Sequence, residues 1–328
     1  MKPSYSFVIP FLNEEATLVD LFERIAAAVR PLLPAGGSFE VLFIDDGSTD
    51  GSALVAERLA KSQPEVSFIQ LRGNFGKSAA LAAGFERAQG EIVFTLDADL
   101  QDDPKEIPRF LEKLAEGYDV VSGFKEKRHD PWHKVLPSRI FNAMVRKLTG
   151  VPLRDVNCGF KAYRVDVVKS LRLYGEMHRF VPVLAQWRRF RVAEIVVEHH
   201  PRRFGVSKFG AGRFYRGLMD LITVFFLLKY DRKPMHFFGL PGALAVLAGF
   251  AVCAWLSILW LQGDSIGTRP LLSLGVLLIV VGVQILATGL IAELVVHLGS
   301  RQQDPFEIRR VVAGADADAL PAVREGAA

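Results

Sequence analysis

The first part of the chain alternates short apolar runs with longer amphipathic stretches. Apolar runs of strand length occupy residues 5–11, 39–44, 66–71 and 92–96. Stretches with the mixed pattern of helices lie between them, at residues 14–29, 52–61 and 78–88. This alternation predicts an α/β fold in which a mostly parallel sheet is covered by helices on both faces.

Two long apolar windows follow near the C-terminal end. Residues 237–261 carry no charge, and residues 270–292 contain only Gln284 as a strongly polar side chain. As a helix, the first window would be roughly 38 Å long, enough to cross a hydrocarbon core of ~30 Å with some tilt. Buried core helices are the alternative, which uncharged runs of this length disfavour. The short connection predicts an antiparallel hairpin, and glycines in both windows permit close helix contact.

Positive charge flanks this hairpin on both sides. Arg232 and Lys233 precede the first window, and Arg301, Arg309 and Arg310 follow the second. Because cationic flanks are retained in the cytoplasm, both ends of the hairpin are predicted to lie there. The opening residues lead directly into a strand and do not resemble a signal peptide. We therefore expect the N-terminal domain and both termini to be cytoplasmic.

These patterns divide the chain into four predicted segments. They are a cytoplasmic N-terminal domain at 1–210, interfacial amphipathic helices at 211–235, a transmembrane hairpin at 236–299 and a cytoplasmic tail, partly disordered, at 300–328. The basic residues of the second segment are expected to lie near the phosphates of membrane lipids. An ordinary amphipathic core helix is the alternative for that segment.

Composition agrees with a soluble part joined to a membrane part. The 328 residues are 50% hydrophobic, and the mean hydropathy is +0.22. A formal net charge of only +4 does not indicate a nucleic-acid-binding protein. Two cysteines exclude a disulfide framework and a cysteine-based zinc site.

The candidate functional residues come directly after the predicted strands, at the edge where parallel sheets bind ligands. Asp97 and Asp99 come after the fourth apolar run. Residues two apart on an extended segment point to one side, so both carboxylates can bind one ion. Mg²⁺ or Mn²⁺ suits such a pair, with substrate phosphate oxygens completing the coordination and Gln101 adding an oxygen ligand. A solvated loop is the alternative reading of this short motif.

A second motif resembles a phosphate-binding loop but lacks an essential residue. Gly76, Lys77 and Ser78 follow a predicted strand and open a helix. A P-loop requires another glycine five residues before Gly76, and that position is Leu71. The chain is therefore not expected to be a P-loop NTPase. Lys77 is expected to neutralise a substrate phosphate, and the alternative is a solvent-exposed lysine at a helix start.

The order of the motifs resembles a known family. The motifs are Pro10-Phe-Leu-Asn-Glu14, Asp45-Asp-Gly-Ser48, Asn74-x-Gly76, Asp97-Ala-Asp-Leu-Gln101 and the segments at 154–161 and 199–208. Together they resemble the family 2 glycosyltransferases with a GT-A fold, and within them the polyprenyl-phosphate type. That type includes dolichyl-phosphate mannose synthase and, closer to this chain, bacterial undecaprenyl-phosphate glucosyltransferases. The resemblance implies a bacterial inner-membrane, multi-pass protein.

The resemblance also implies roles for individual residues. Those matching the nucleotide-sugar site are Pro10, Glu14, Asp46, Asp97, Arg202, Ser207 and Lys208, and Lys77 is added to them by the phosphate contact expected above. Arg202, Ser207 and Lys208 fall on a loop that closes over the diphosphate in the family. Asp97, Asp99 and Gln101 match the metal site, and Asp99 is also a candidate catalytic residue. Arg139 matches a contact to the acceptor phosphate, and Asp155 matches a carboxylate beside the attacking group.

The implied reaction is inverting transfer of one hexose from a nucleotide sugar to undecaprenyl or another polyprenyl phosphate. UDP-glucose is the first choice of donor, and GDP-mannose is the second. A phosphomonoester has a second pKa of about 6 and is largely an anionic nucleophile at neutral pH, so Asp155 is expected to orient the acceptor as much as to deprotonate it. A processive polysaccharide synthase and a catalytically silent scaffold remain alternatives. The glycine-bearing spans are compatible with a homo-oligomer.

Overall fold

The structure, a computed structural model, describes residues 2–125, most of 142–200, isolated positions from 219 to 230, and residues 233–263 and 270–300. Four predicted site residues, Arg139, Arg202, Ser207 and Lys208, lie outside the described residues, as do most of the predicted interfacial helices and the tail. The chain forms two compact units, Met1–Lys229 and Tyr230–Ala328.

A seven-stranded sheet forms the centre of the first unit. Its strands are β1 Tyr5–Phe11, β2 Phe39–Asp45, β3 Val66–Gln70, β4 Ile92–Thr95, β5 Val120–Phe124, β6 Lys161–Arg164 and β7 Val192–Val196. They are arranged in the order β3-β2-β1-β4-β6-β5-β7. Strand β6 runs antiparallel to both of its neighbours, whereas the other described pairs are parallel. The mostly parallel α/β sheet predicted from the sequence is confirmed.

Helices connect most of these strands. They are α1 Leu18–Val29, α2 Ser52–Ser62, α3 Lys77–Arg87, α4 Ile107–Ala115, α5 Val165–Ser170 and α6 Val181–Trp187, with a 3₁₀ helix at Met177–Phe180 before α6. The predicted start of α1 at residue 14 is wrong by four residues. Asn13 has a φ of 54°, and the Glu14 carbonyl accepts hydrogen bonds from the Thr17 amide and hydroxyl, at 3.1 and 2.9 Å. These contacts form a turn before the helix can begin.

Both faces of the sheet are buried. On β1, Phe7 and Ile9 pack into one apolar layer with Phe94, and Val8 packs into the opposite layer with Tyr163. The Phe7 and Phe94 rings stack with their centroids 5.0 Å apart. Successive residues of a strand point to opposite faces, so a sheet covered on both sides requires continuous apolar strands. This requirement explains the apolar runs seen in the sequence.

The second unit contains two long apolar helices, α7 Met235–Leu261 and α8 Pro270–Ser300. Their most apolar windows have mean hydropathies of 2.3 and 2.5, and only 11% and 17% of those windows are buried. Core helices of a soluble domain would be mostly covered, so these helices could span a membrane, as predicted. The direction in which they cross stays a prediction.

The two helices meet at small residues. A Cβ atom on Gly249 of α7 would lie 2.6 Å from the Gly275 carbonyl oxygen of α8, and one on Gly282 would lie 2.7 Å from the Val246 amide nitrogen. Glycine therefore allows backbone-to-backbone contact. Glu293 of α8 also accepts a hydrogen bond of 3.1 Å from the Met235 amide. That contact satisfies one of the amides left unpaired at the start of α7.

The close approach at Gly249 can be tested by adding one methyl group. Gly249→Ala is expected to lower the free energy of unfolding by about 1–3 kcal/mol, because the new Cβ would push two backbones apart. The matched control is Gly239→Ala in the same helix, whose Cβ would meet the Met235 side chain at ordinary distances, 3.5 Å from Cε and 3.9 Å from Cγ. Thermal unfolding of detergent-purified protein compares them. Equal melting temperatures for the two variants would contradict the glycine contact.

Candidate active site

The carboxyl ends of β1, β2 and β4 lie side by side, and loops from these strands tie together there. The Asn13 side-chain oxygen after β1 accepts a hydrogen bond of 2.8 Å from the Thr49 amide after β2. The Glu14 amide donates to Ser52 Oγ at 2.8 Å. Glu14, predicted to line the nucleotide pocket, is therefore fixed at this edge through its backbone.

Asp46 holds the loop that leads into α3. Its carboxylate is 6% exposed and accepts the Phe75 amide at 2.8 Å and the Gly76 amide at 3.0 Å. Burial raises the pKa of Asp46, and these two hydrogen bonds oppose that rise. In this arrangement the Asp46 carboxylate forms its hydrogen bonds with backbone amides of the protein itself. The contact to a nucleotide implied by the family resemblance stays a prediction.

Lys77, the first residue of α3, forms an ion pair with Asp97 just beyond β4. Their side chains are 34% and 36% exposed. Burial would raise the pKa of Asp97, but the attraction of Lys77, Lys125 and Lys161 outweighs it and holds this pKa well below its usual range. Asp97 is therefore ionised at neutral pH. Lys77 is not the solvent-exposed lysine considered as an alternative.

Asp99 and Gln101 continue this edge. Asp99 is 7% exposed, and its Oδ1 accepts the Gln101 amide at 3.2 Å. Among the residues that the structure describes, no group of three or more His, Cys, Asp or Glu side chains could hold a metal ion. Ala98 and Asp99 lie in a turn and not on the extended segment expected from the sequence, so binding of one Mg²⁺ or Mn²⁺ by both carboxylates, with Gln101, stays a prediction.

A pocket opens beside this ion pair. Pro10, Lys77 and Asp97 line it, so the structure brings together three of the predicted site residues. Lys161 and Tyr163, both from β6, line it as well. Lys161 is 3% exposed and donates a hydrogen bond to the Cys158 carbonyl, and burial lowers its pKa. The pocket therefore combines carboxylate and ammonium groups in a partly dry setting.

Gly159 allows the pocket wall to approach Asp97. The Thr95 hydroxyl donates to the Gly159 carbonyl at 2.9 Å, and a Cβ on Gly159 would collide with the Asp97 carboxylate. The neighbouring Cys158 is 2% exposed, and burial raises its pKa to about 12. This thiol is therefore neutral, as expected for a packing residue and not for a nucleophile.

Four residues of this region were not found from the sequence: Ser78, Lys161, Tyr163 and His178. Ser78 Oγ lies 3.0 Å from His178 Nδ1, although the two residues are 100 positions apart. Burial lowers the pKa of His178 to about 2, and Lys77, Arg179 and Lys161 add to that effect. No local motif joins residues so far apart. Only the position of Ser78 directly after Lys77 could have drawn attention to it.

Asp155 lies in the segment that leads into β6. The Arg154 and Asp155 amides both donate to Glu194 Oε1 of β7, at 2.9 and 3.0 Å. The Asp155 carboxylate accepts the Asn157 amide at 3.1 Å and is 2% exposed. Asp155 is not among the residues that line the pocket. Its predicted role beside the attacking group therefore stays a prediction.

Comparisons with known proteins decide the family. Residues 6–172 match the model of glycosyl transferase family 2. The chain is 37% identical over 301 residues to the dodecaprenyl-phosphate galacturonate synthase of Rhizobium johnstonii, covering 88% of this chain and 87% of that protein. This chain belongs to glycosyltransferase family 2. It is also 38% identical over 327 residues to the undecaprenyl-phosphate 4-deoxy-4-formamido-L-arabinose transferase of Pseudomonas paraeruginosa, covering 98% and 94%.

Solved structures support the fold. The glucosyl-3-phosphoglycerate synthase of Mycobacterium tuberculosis, in complex with Mn²⁺, UDP and glucosyl-3-phosphoglycerate, superposes with a TM-score of 0.52 at 22% identity, covering 68% of this chain and 80% of that one. The resemblance to polyprenyl-phosphate glycosyltransferases with a GT-A fold is confirmed. Glucose is not confirmed as the transferred sugar, since the names of these relatives specify galacturonate and 4-deoxy-4-formamido-L-arabinose.

Removal of the Asp46 carboxylate tests its structural role. Asp46→Ala is expected to lower the free energy of unfolding by about 1–3 kcal/mol, because the Phe75 and Gly76 amides would lose their charged acceptor. Asp166→Ala, at an exposed position in the first turn of α5, serves as the control and should change stability by less than about 0.5 kcal/mol. Chemical denaturation measures both. An unchanged stability in Asp46→Ala would show that the loop does not depend on this carboxylate.

Proposed function

We propose that this chain transfers one sugar residue, with inversion, from a nucleotide sugar to undecaprenyl or another polyprenyl phosphate at the cytoplasmic face of a bacterial inner membrane. The Lys77–Asp97 pair at the end of β4 is the observation that carries the proposal, because it places an ionised carboxylate and a cation at the ligand-binding edge of the sheet. The match to polyprenyl-phosphate transferases over 98% of the chain supports it, since that match includes both the catalytic domain and the apolar hairpin.

The first requirement of this reaction is stabilisation of the departing diphosphate. Asp97 and Asp99, with the Gln101 side chain, would hold Mg²⁺ or Mn²⁺, and this cation would supply positive charge to the leaving group. Lys77 brings a second positive charge to the same edge. The closing-loop residues Arg202, Ser207 and Lys208 would add further contacts to the diphosphate.

The second requirement is a positioned acceptor. A phosphomonoester is already largely anionic near neutral pH, so it needs orientation more than deprotonation. We assign that task to Asp155, with Arg139 on the acceptor phosphate. Glu194 accepts one hydrogen bond from the Arg154 amide and one from the Asp155 amide, which would give the Asp155 carboxylate a defined position once substrate binds.

The apolar hairpin accounts for the class of acceptor. A polyprenyl chain stays in the bilayer, so an enzyme that uses it must remain at the membrane. Helices α7 and α8 are long and apolar enough to anchor the chain there. The cationic flanks favour both termini in the cytoplasm.

The sugar itself is the finer part of the proposal. UDP-glucose is the donor favoured by the family resemblance, and GDP-mannose is the second choice. The relatives named above carry galacturonate and 4-deoxy-4-formamido-L-arabinose. These four sugars, each as its nucleotide derivative, therefore form the test panel. A processive hydroxyl-acceptor synthase is less well supported, because the Q-x-x-R-W sequence typical of such enzymes is absent from the chain.

Mass spectrometry of lipid products tests the function. Detergent-purified protein is supplied with undecaprenyl phosphate, Mg²⁺ or Mn²⁺ and each nucleotide sugar in turn. We expect the wild type to form one polyprenyl-phosphate sugar. Asp99→Asn is expected to form about a hundredfold less of this product, or even less. Chelation of the metal should abolish the product. The absence of any lipid-linked sugar from folded wild-type protein would overturn the proposal.

A second variant tests whether the position of Asp97 matters. Gly159→Ala is expected to reduce the transfer rate by about tenfold or more, because the new methyl group displaces the Asp97 carboxylate from Lys77. Gly73→Ala is the matched control, since nothing lies within 4 Å of its added Cβ. Initial rates with saturating acceptor compare the two. Equal rates in both variants would show that the transfer rate does not depend on the position of the Asp97 carboxylate.

A further inference from the structure

The Ser78–His178 contact has no role in the reaction as described above. Ser78 is the second residue of α3 and is 1% exposed. Its Oγ accepts a hydrogen bond of 3.0 Å from the backbone amide of His178 and lies 3.0 Å from Nδ1 of the same residue. His178 belongs to the 3₁₀ helix before α6, and its side chain lines the pocket beside Asp97.

These two contacts favour the tautomer in which Nε2 carries the proton. A serine hydroxyl has one proton to donate, and a buried hydroxyl that leaves it unpaired destabilises the protein. Ser78 Oγ already accepts from the His178 amide, and Nδ1 is the acceptor within reach of its own proton. Nδ1 is therefore unprotonated, so the proton of a neutral ring resides on Nε2.

The surroundings keep the ring neutral. Burial lowers the pKa of His178, and Lys77 and Lys161 of the same pocket lower it further, against a smaller opposing effect of Asp97. No residue that the structure describes forms a hydrogen bond with His178 Nε2. The ring thus presents one uncharged N–H donor to the pocket.

We propose that the Nε2–H of His178 binds a hydroxyl oxygen of the transferred sugar and that Ser78 is the positioning residue for this contact. The inference rests on the proposed function, in which Asp97 lies at the diphosphate. Asp97 belongs both to this pocket and to the proposed diphosphate site. The sugar, which is attached to the diphosphate, is therefore the part of the donor that would lie within reach of His178. In the proposed function Lys77 and the metal would supply charge to the diphosphate, whereas a neutral donor suits an uncharged hydroxyl.

Three substitutions at one position test the contact in the full-length enzyme. His178→Ala removes the donor and is expected to lower kcat/KM for the nucleotide sugar by about tenfold to a hundredfold. His178→Gln should recover most of this loss, because its amide N–H reaches the position of Nε2. His178→Asn should not recover it, because its shorter side chain reaches only Ser78. Similar values of kcat/KM for the Gln and Asn variants would overturn the proposal.

Calorimetry distinguishes a contact of His178 with the sugar from a contact with the diphosphate. With Mn²⁺ present, His178→Ala should bind UDP within about twofold of the wild type, while its affinity for the nucleotide sugar used by the wild type falls by about tenfold. An equal loss for UDP and the nucleotide sugar would assign the contact to the diphosphate and contradict the proposal. If GDP-mannose is the donor, GDP replaces UDP.

The same measurement distinguishes failure of this inference from failure of the proposed function. If wild-type protein binds nucleotide sugars but gives no lipid product, the lipid acceptor is wrong, and a sugar-dependent loss of affinity in His178→Ala still supports the contact. If wild-type protein binds no nucleotide or nucleotide sugar, the function and the contact both fail.

Ser78→Ala tests the positioning role. We expect a decrease in kcat/KM of about threefold to tenfold, because the ring loses its fixed tautomer and orientation. The control is Ser170→Ala, which removes a hydroxyl hydrogen bond of 2.8 Å at the end of α5 and should leave kcat/KM unchanged. Equal kcat/KM values for both serine variants, with equal melting temperatures, would contradict the role of Ser78.

Discussion

The ion pair between Lys77 and Asp97 is the interaction on which the candidate site depends. It joins the first residue of α3 to the end of β4, so it fixes a helix start and a strand end at one edge of the sheet. Two other features maintain it. Asp46 holds the loop directly before Lys77, and Gly159 leaves room for the Asp97 carboxylate. The site is therefore organised before substrate arrives, which is the condition under which fixed charges assist catalysis most.

The two units of the chain meet different physical demands. The first unit buries both faces of a sheet, and the Lys77–Asp97 pair lies at the edge where the parallel strands end. The second unit exposes apolar side chains along two helices that are held together by glycine contacts. In water such exposure is unfavourable, whereas in a bilayer it is the stable arrangement. An enzyme acting on a lipid-linked acceptor requires both kinds of surface in one chain.

The sequence by itself determined the α/β class, the strands β1 to β4, the two apolar helices and the acidic pair of Asp97 and Asp99. These features depend on local patterns: apolar runs of strand length, uncharged windows of membrane length and carboxylates directly after a strand. The position of Lys77 at a predicted helix start indicated a phosphate contact, and the family resemblance added a role for Pro10; the structure brings both residues to one pocket.

Tertiary structure alone decided how the pocket is completed. Strand β6 enters the sheet antiparallel between β4 and β5, and its register sets Lys161 opposite Thr95, two residues before Asp97. The contact between Ser78 and His178 spans 100 positions, and Asp155 is buried through contacts with β7. Strand order and register depend on packing across the whole domain, so no local pattern contains them.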